Sequence, residues 1–177
     1  MKLAPMLLVR PGELRRAECS EIDLDKAEWR IPASKMKGRV MHIVPLAKQA
    51  VRILMELRPL TDRSPWVFPG VRTNGEPMSE NTVNAALRRL GYDRTTLTAH
   101  GFRGMASTML HEQGWASDVI ERQLSHAERN SVKAAYNHAE HLPARRKMMQ
   151  AWADYLEKLR NGADVVPIRR TPERVAL

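Results

Sequence analysis

A histidine, His126, closes one amphipathic segment, and a lone tyrosine, Tyr136, stands ten residues later inside the next. A tyrosine hydroxyl has a reference pKa of about 10 and is a poor nucleophile at neutral pH. It becomes effective when cations stabilise the charge that develops around it. The chain offers several cations at suggestive places. Arg10 precedes Pro11-Gly12-Glu13-Leu14, Lys35 and Lys37 flank a turn, and His100 and Arg103 stand three apart on one helical segment. At that spacing the two side chains project side by side.

Each group alone has a plainer reading. Tyr136 falls on the apolar stripe of its segment, where a tyrosine is by default a core residue with its hydroxyl at the rim. His126 at a helix C-terminus is helped by the macrodipole. Arg10 can bind a carboxylate, the lysines can be turn residues, and His100 with Arg103 can be a solvated face. Other chemistries have less support. His138 and His141 straddle an expected helix end, and His111-Glu112 lacks the second histidine of a zinc-protease motif. There is no acidic cluster for a two-metal nuclease, no glycine-rich phosphate loop, and no serine or cysteine nucleophile motif. Metals and cofactors are therefore not expected.

The elements that must position these residues follow from apolar period and punctuation. Leu3 to Val9 reads as a buried helix, and Pro11 suits the first turn of the next. Three short strands follow around Ile22–Leu24, Trp29–Ile31 and Met41–Val44, with turns at Asp25-Lys26 and Lys37-Gly38. In the third, Met41 and Ile43 alternate with His42 and Val44. A helix runs from Leu46 to Pro59, a proline- and glycine-containing loop from Leu60 to Met78, and a helix capped by Ser79 through Leu90. Thr98 opens a helix whose apolar face is Phe102, Met105, Ala106, Met109 and Leu110. Its opposite face carries His100, Arg103, Gly104, Ser107 and His111. Ser117 caps the next helix and Asn130 or Ser131 the one with Tyr136. A last helix spans Leu142 to Leu159, and the tail from Asn161 reads as extended or flexible.

Composition narrows the class. The 177 residues suffice for one domain with a real core, and 43% are apolar. Lys plus Arg number 29 against 20 Asp plus Glu, giving a net charge of +9, which favours a polyanionic partner, nucleic acid before membrane. The single cysteine, Cys19, suits a reducing cytoplasm, and no apolar run approaches the roughly 18 residues of a membrane span.

Taken in order, Arg10, Lys37 (eight residues ahead of Pro45), His100-Gly101-Phe102-Arg103, Leu124-Ser125-His126 and Tyr136 strongly resemble the catalytic domain of the tyrosine recombinases, the phage-integrase family. The stretches Arg10-Pro11-Gly12-Glu13-Leu14-Arg15, His42-Ile43-Val44-Pro45-Leu46, Pro77-Met78-Ser79-Glu80-Asn81-Thr82 and Ala134-Ala135-Tyr136-Asn137 look most like integrases of prophages and genomic islands. The resemblance implies a mainly helical α+β catalytic domain over residues 1–160 with a small three-stranded antiparallel sheet, followed by a tail at 161–177. It implies site-specific DNA cleavage and rejoining without metal or ATP. Tyr136 would form a 3′-phosphotyrosyl link, Arg10, Arg103 and His126 would hold the phosphate, and Lys37 would protonate the leaving 5′-oxygen. His100 would act as a base or orient the phosphate. Lys35 rivals Lys37, since only the count back from Pro45 separates them.

The implied partners are double-stranded DNA at attachment sites and, in longer relatives, a tetramer on two duplexes with a C-terminal segment exchanged between protomers. The implied place is the bacterial cytoplasm, at the nucleoid. Two features depart from the family's pattern. Leu7-Leu8-Val9 replaces a common Thr-Gly ahead of the first arginine, and only nine residues precede Arg10 where the family carries further DNA-binding domains. The chain therefore reads as a truncated product or a catalytic fragment. A type IB topoisomerase and a non-catalytic DNA-binding remnant are the alternatives.

Overall fold

A computed structural model describes residues 2–71, 75–126 and 141–162. The expected helix around Tyr136, its cap at Asn130 or Ser131, and the tail beyond Gly162 lie outside the described residues. Seven helices and one sheet are described: α1 (Leu3–Leu7), α2 (Pro11–Arg15), β1 (Ile22–Asp23), β2 (Glu28–Ile31), β3 (His42–Pro45), α3 (Lys48–Thr61), α4 (Thr82–Arg89), α5 (Gly101–Glu112), α6 (Ser117–Gln123) and α7 (Leu142–Arg160). This is the expected mainly helical α+β architecture.

The sheet is antiparallel in the order β1-β2-β3. Trp29 pairs with Ile22 on one side and Val44 on the other, and Ile31 pairs with His42. Both turns fall where expected. Ala27 N–H donates to Leu24 O across Asp25-Lys26 at 3.3 Å, and Arg39 N–H donates to Met36 O across Lys37-Gly38 at 3.0 Å. All four residues of the third strand are buried. Helix α7 packs on the strand and its Arg145 takes Ile43 O, while the interior His42 reaches Gln123 O of α6.

Two apolar clusters make the core. One joins the sheet to α1, α2 and α3 through Leu7, Leu14, Trp29, Ile31, Val44 and Leu54. The other joins α5, α6 and α7 around Leu8 through Ala106, Leu110, Ile120, Leu124, Met148 and Trp152. The long helix α7 spans both. Its Trp152 Nε1–H donates to Pro5 O at 2.8 Å, and its Arg146 reaches Glu28 of β2 at 2.5 Å. Gln49 of α3 donates to Asp154 at 2.7 Å and Glu157 at 3.0 Å.

Several helix limits differ from those read from the sequence. Leu8 turns left-handed (φ 56°), so α1 stops at Leu7. Pro59 lies inside α3 rather than ending it, which the last turn tolerates. Ser79 opens a turn, Thr82 N–H to Ser79 O at 3.0 Å, and α4 begins three residues later behind Asn81. Ser117 is the first residue of α6, and Ala116 holds the cap position. Thr98 does open the turn into α5, since its Oγ1 accepts from Gly101 N–H at 3.0 Å.

Candidate active site

The site forms where two helices end. An α-helix leaves its last carbonyls without intrahelical partners, and they carry the negative end of the macrodipole. Here α1 and α6 end close together, and arginine side chains from elsewhere satisfy their carbonyls. Leu8, just after α1, and Ser125, just after α6, both adopt left-handed backbone, with φ 56° and 51°. Such conformations are costly for residues other than glycine and persist when the surroundings hold them. Those two carbonyls are the ones taken by the two arginines. Arg103 donates through Nη1 to Leu8 O and through Nη2 to Leu124 O, the latter at 2.5 Å. Arg10 donates through Nη2 to Ser125 O at 3.0 Å.

Arg10 is aimed by its own short helix. The carboxylate of Glu13, buried at 6% exposure, accepts from Arg10 N–H through Oε2 and from Arg10 Nη1 through Oε1, both at 2.8 Å. Pro11 in the first turn fixes the backbone that makes this reciprocal arrangement possible. The sequence reading allowed Arg10 a carboxylate partner without naming Glu13.

Arg103 departs from expectation. It was placed on the polar face of α5, away from Ala106 and Leu110. The structure puts it on the same face as both, at 5% exposure, while Met105 of the expected apolar face is 39% exposed. The reason is the carbonyl pair: a guanidinium can be buried when its donors meet fixed acceptors. His100 is exposed at the start of α5. Burial and then the neighbouring Arg10 charge lower the Arg103 pKa, with Glu13 and Glu121 opposing. Two cations thus converge on adjacent carbonyls with only one buried carboxylate between them.

His126 follows directly. Its ring is about half exposed, and Nδ1 lies 2.5 Å from Glu121 Oε2 of α6. With Glu121 holding one nitrogen, the other faces outward. The lysines separate clearly. Lys35 Nζ is engaged by Glu18 at 2.6 Å, Glu21 at 2.5 Å and Arg16 O at 3.0 Å, and stacks over Trp66. Lys37 is exposed at the tip of the tight turn whose Met36 is anchored in the core. Among the described residues no side-chain hydrogen bond or ion pair links Lys37 or His100 to Arg10, Arg103 or His126, although His100 O accepts from Arg103 N–H at 3.1 Å. Tyr136, the expected nucleophile, lies outside the described residues.

Three further residues support the site without having been singled out. Gln123 and Arg145 are fully buried and His42 nearly so. His42 Nε2 donates to Gln123 O at 3.1 Å, and Arg145 Nε donates to Gln123 Oε1 at 3.0 Å. Burial first, then the charges of Arg145 and Arg122, push the His42 pKa down to about 3, so the ring is neutral and Nε2 carries the proton. Burial and Arg122 lower Arg145 to about 9, which leaves it charged at neutral pH. No pattern of period or spacing marks Gln123 or Arg145. Among the described residues no cluster of three His, Cys, Asp or Glu side chains has the arrangement to hold a metal, and no helix is long and apolar enough to cross a membrane.

The model of the phage integrase family matches residues 1–142. The integrase of Enterobacteria phage P4 is 49% identical over 176 residues, which cover 91% of this chain and 40% of that relative. The chain thus spans well under half the length of that protein. Among solved structures, XerA recombinase superposes with a TM-score of 0.61 at 18% identity, covering 93% of this chain and 57% of that one. The Tn1549 transposon integrase, solved in complex with transposon right end DNA, superposes with a TM-score of 0.52 at 13% identity over 80% of this chain and 58% of its own.

Proposed function

The chain belongs to the phage integrase family, and from that premise we propose that it carries out the chemical step of site-specific DNA recombination, cutting and rejoining one strand through Tyr136. The observation that carries the reading is the convergence of Arg10 and Arg103, from distant parts of the chain, on the adjacent carbonyls of Ser125 and Leu124. The unspent edges of two guanidiniums beside an outward histidine suit the non-bridging oxygens of a phosphodiester.

In the proposed reaction the Tyr136 hydroxyl oxygen attacks phosphorus and loses its proton to a base, a role that falls to His100. The P–O bond to the 5′-oxygen breaks, and that oxygen takes a proton from Lys37. The product is a 3′-phosphotyrosyl bond, which stores the energy for rejoining by a 5′-hydroxyl. Negative charge concentrates on the equatorial oxygens in the transition state, so fixed cations stabilise it more than the ground state. The acid must be free to approach the leaving oxygen. Lys37 meets that requirement, whereas Lys35 is held by two carboxylates. This favours Lys37 on physical grounds beyond its count from Pro45.

We assign residues 1–160 to the catalytic unit and 161–177 to a tail. The substrate is double-stranded DNA, and the solved complex of the Tn1549 integrase with transposon right end DNA supports a DNA substrate. The working assembly is a tetramer on two duplexes at the nucleoid. Helix α7 is built into this chain's own core through Met148, Met149 and Trp152, so exchange between protomers falls to the segment after Gly162.

The test is covalent capture. The protein is incubated with nicked duplexes of randomised sequence, designed so that cleavage releases a short fragment and traps the adduct. A DNA-linked species on a denaturing gel, absent in Tyr136→Phe, is expected. An adduct that survives Tyr136→Phe overturns the nucleophile, and no adduct from the parent overturns the reading.

A further inference from the structure

Three consecutive residues at the end of α6 receive hydrogen bonds from four parts of the chain. Gln123 O accepts from His42 of β3, and Gln123 Oε1 accepts from Arg145 of α7. Leu124 O accepts from Arg103 of α5, and Ser125 O from Arg10. Gln123 Nε2 faces Leu7 O, at the end of α1, at 3.5 Å. Arg145 in turn fixes itself to the sheet through Nη2 on Ile43 O.

This arrangement is costly. A buried cation loses hydration, and an apolar side chain of similar volume is often as stabilising in such a place. Arg145 has 0% exposure, and its Nη1 has no hydrogen-bond partner among the described residues. What the cation provides is direction. An arginine side chain is long and rotamer-rich, and its planar fork is aimed only when its acceptors are fixed. The acceptors that aim Arg103 and Arg10 lie one and two residues beyond Gln123, in a helix end with a left-handed residue.

We infer that Arg145 and His42, acting through Gln123, are positioning residues for the two site arginines: they fix the Leu124 and Ser125 carbonyls, which fix the aim of Arg103 and Arg10. Its consequence for DNA cleavage rests on the function proposed above. Its consequence for Arg103 does not.

Two measurements test it. The first uses nitrogen-detected NMR of the Arg103 guanidinium in the protein without DNA. Slow rotation about Cζ–Nη is expected in the parent and in Gln123→Glu, which keeps the acceptor for Arg145. Faster rotation is expected in Arg145→Lys, which keeps charge but cannot reach both acceptors, and in Gln123→Leu. Unchanged rotation in the last two overturns the inference, whether or not the protein cuts DNA.

The second is single-turnover cleavage, run well below each variant's Tm. Arg145→Lys and Gln123→Leu should slow it by about 10- to 100-fold, the range for loss of an outer residue that orients a reactive group, with noncovalent DNA affinity unchanged. Gln123→Glu should stay near the parent. Arg145→Lys should slow cleavage less in an Arg103→Ala background than in the parent, since only Arg10 is then left to misaim and residues acting in series are not additive. A general loss of folding would instead lower both backgrounds alike. An active parent with unslowed variants overturns the inference. A parent that forms no adduct overturns the proposed function and leaves the NMR result to decide the brace.

Discussion

The two halves of the core are built on different principles. On the sheet side, Trp29, Ile31, Met36, Val44 and Leu54 meet through apolar contact, and the buried carboxylates of Glu13 and Glu28 pair with partly exposed arginines. On the helical side a polar seam of Arg103, Gln123 and Arg145 runs beside Ala106, Leu110, Ile120 and Trp152. Apolar packing tolerates a swap of similar volume, whereas a buried hydrogen-bonded seam depends on every member. The sheet half presents Lys37 on a turn, without a partner among the described residues. The helical half presents Arg103 and fastens it. In the proposed reaction the proton donor, which must travel, and the phosphate clamp, which must not, thus stand on the two kinds of support.

The sharpest way to break this contrast is to exchange the lysines. Lys37→Ala should slow cleavage by about 10²- to 10⁴-fold, the range for loss of a general acid. A substrate with sulfur at the 5′-bridging position should restore it, because a thiolate leaves without protonation. Lys35→Ala should instead lower Tm by leaving Glu18 and the buried Glu21 without their cation, and sulfur should not rescue any slower rate. Rescue of Lys35→Ala and not of Lys37→Ala would reverse the assignment.

Next comes packing on each side. Trp29→Ala and Trp152→Ala each remove a fully buried indole and should cost about 3–5 kcal/mol in denaturant unfolding. Trp29→Phe should keep the cleavage rate of the folded protein. Met148→Leu, similar in volume but packed against the seam, should slow cleavage more than it lowers stability. Equal effects on both quantities in both halves would erase the contrast.

Third is the clamp itself. Arg103→Lys keeps the charge and loses the fork that reaches Leu8 O and Leu124 O together. It should slow cleavage by about 10²- to 10³-fold, as for loss of a fixed donor to a developing oxyanion. DNA affinity measured against salt should change little, because one phosphate contact among many carries little of the total. A near-parental rate would show that charge alone suffices there.

Much of this was legible in the sequence because it is local. The turn that carries Lys37 follows from Lys37-Gly38, the three strands from their apolar residues, and the order of the cations from their motifs. What was not legible depends on partners distant in the chain. Period alone sends a charged residue to the solvent face, so Arg103 was placed opposite Ala106 and Leu110 and is in fact on their side. His42 has no burial signal in its alternating stretch and is interior, because α7, a hundred residues later, brings Arg145 over the strand. Gln123 and Arg145 carry no local signal, since their acceptors and donors are set by the meeting of β3, α6 and α7.

The smallest expected effect tests the seam by pH. His42 is neutral in the fold, with its pKa lowered to about 3 from 6.5. The unfolded chain takes up a proton near 6.5, whereas the folded protein does not until far lower pH. The penalty is therefore absent above 6.5 and grows as pH falls towards 3. In this window stability should drop by about 1.4 kcal/mol per pH unit, or roughly 2 kcal/mol between pH 6.5 and 5. The carboxylates with lowered pKa values, Asp23, Asp93 and Glu157, lose their contribution as pH falls through their unfolded values of 3.8 and 4.5, so most of their effect lies below that interval. Urea unfolding at pH 7, 6 and 5 measures the slope. His42→Gln, which keeps a donor for Gln123 O and cannot titrate, should flatten it. If the slope persists in His42→Gln, the proton goes elsewhere and the seam is not what acid breaks. If it vanishes, acid acts on the helical side through a residue supplied by the sheet, and His42 is the point where the two halves are joined.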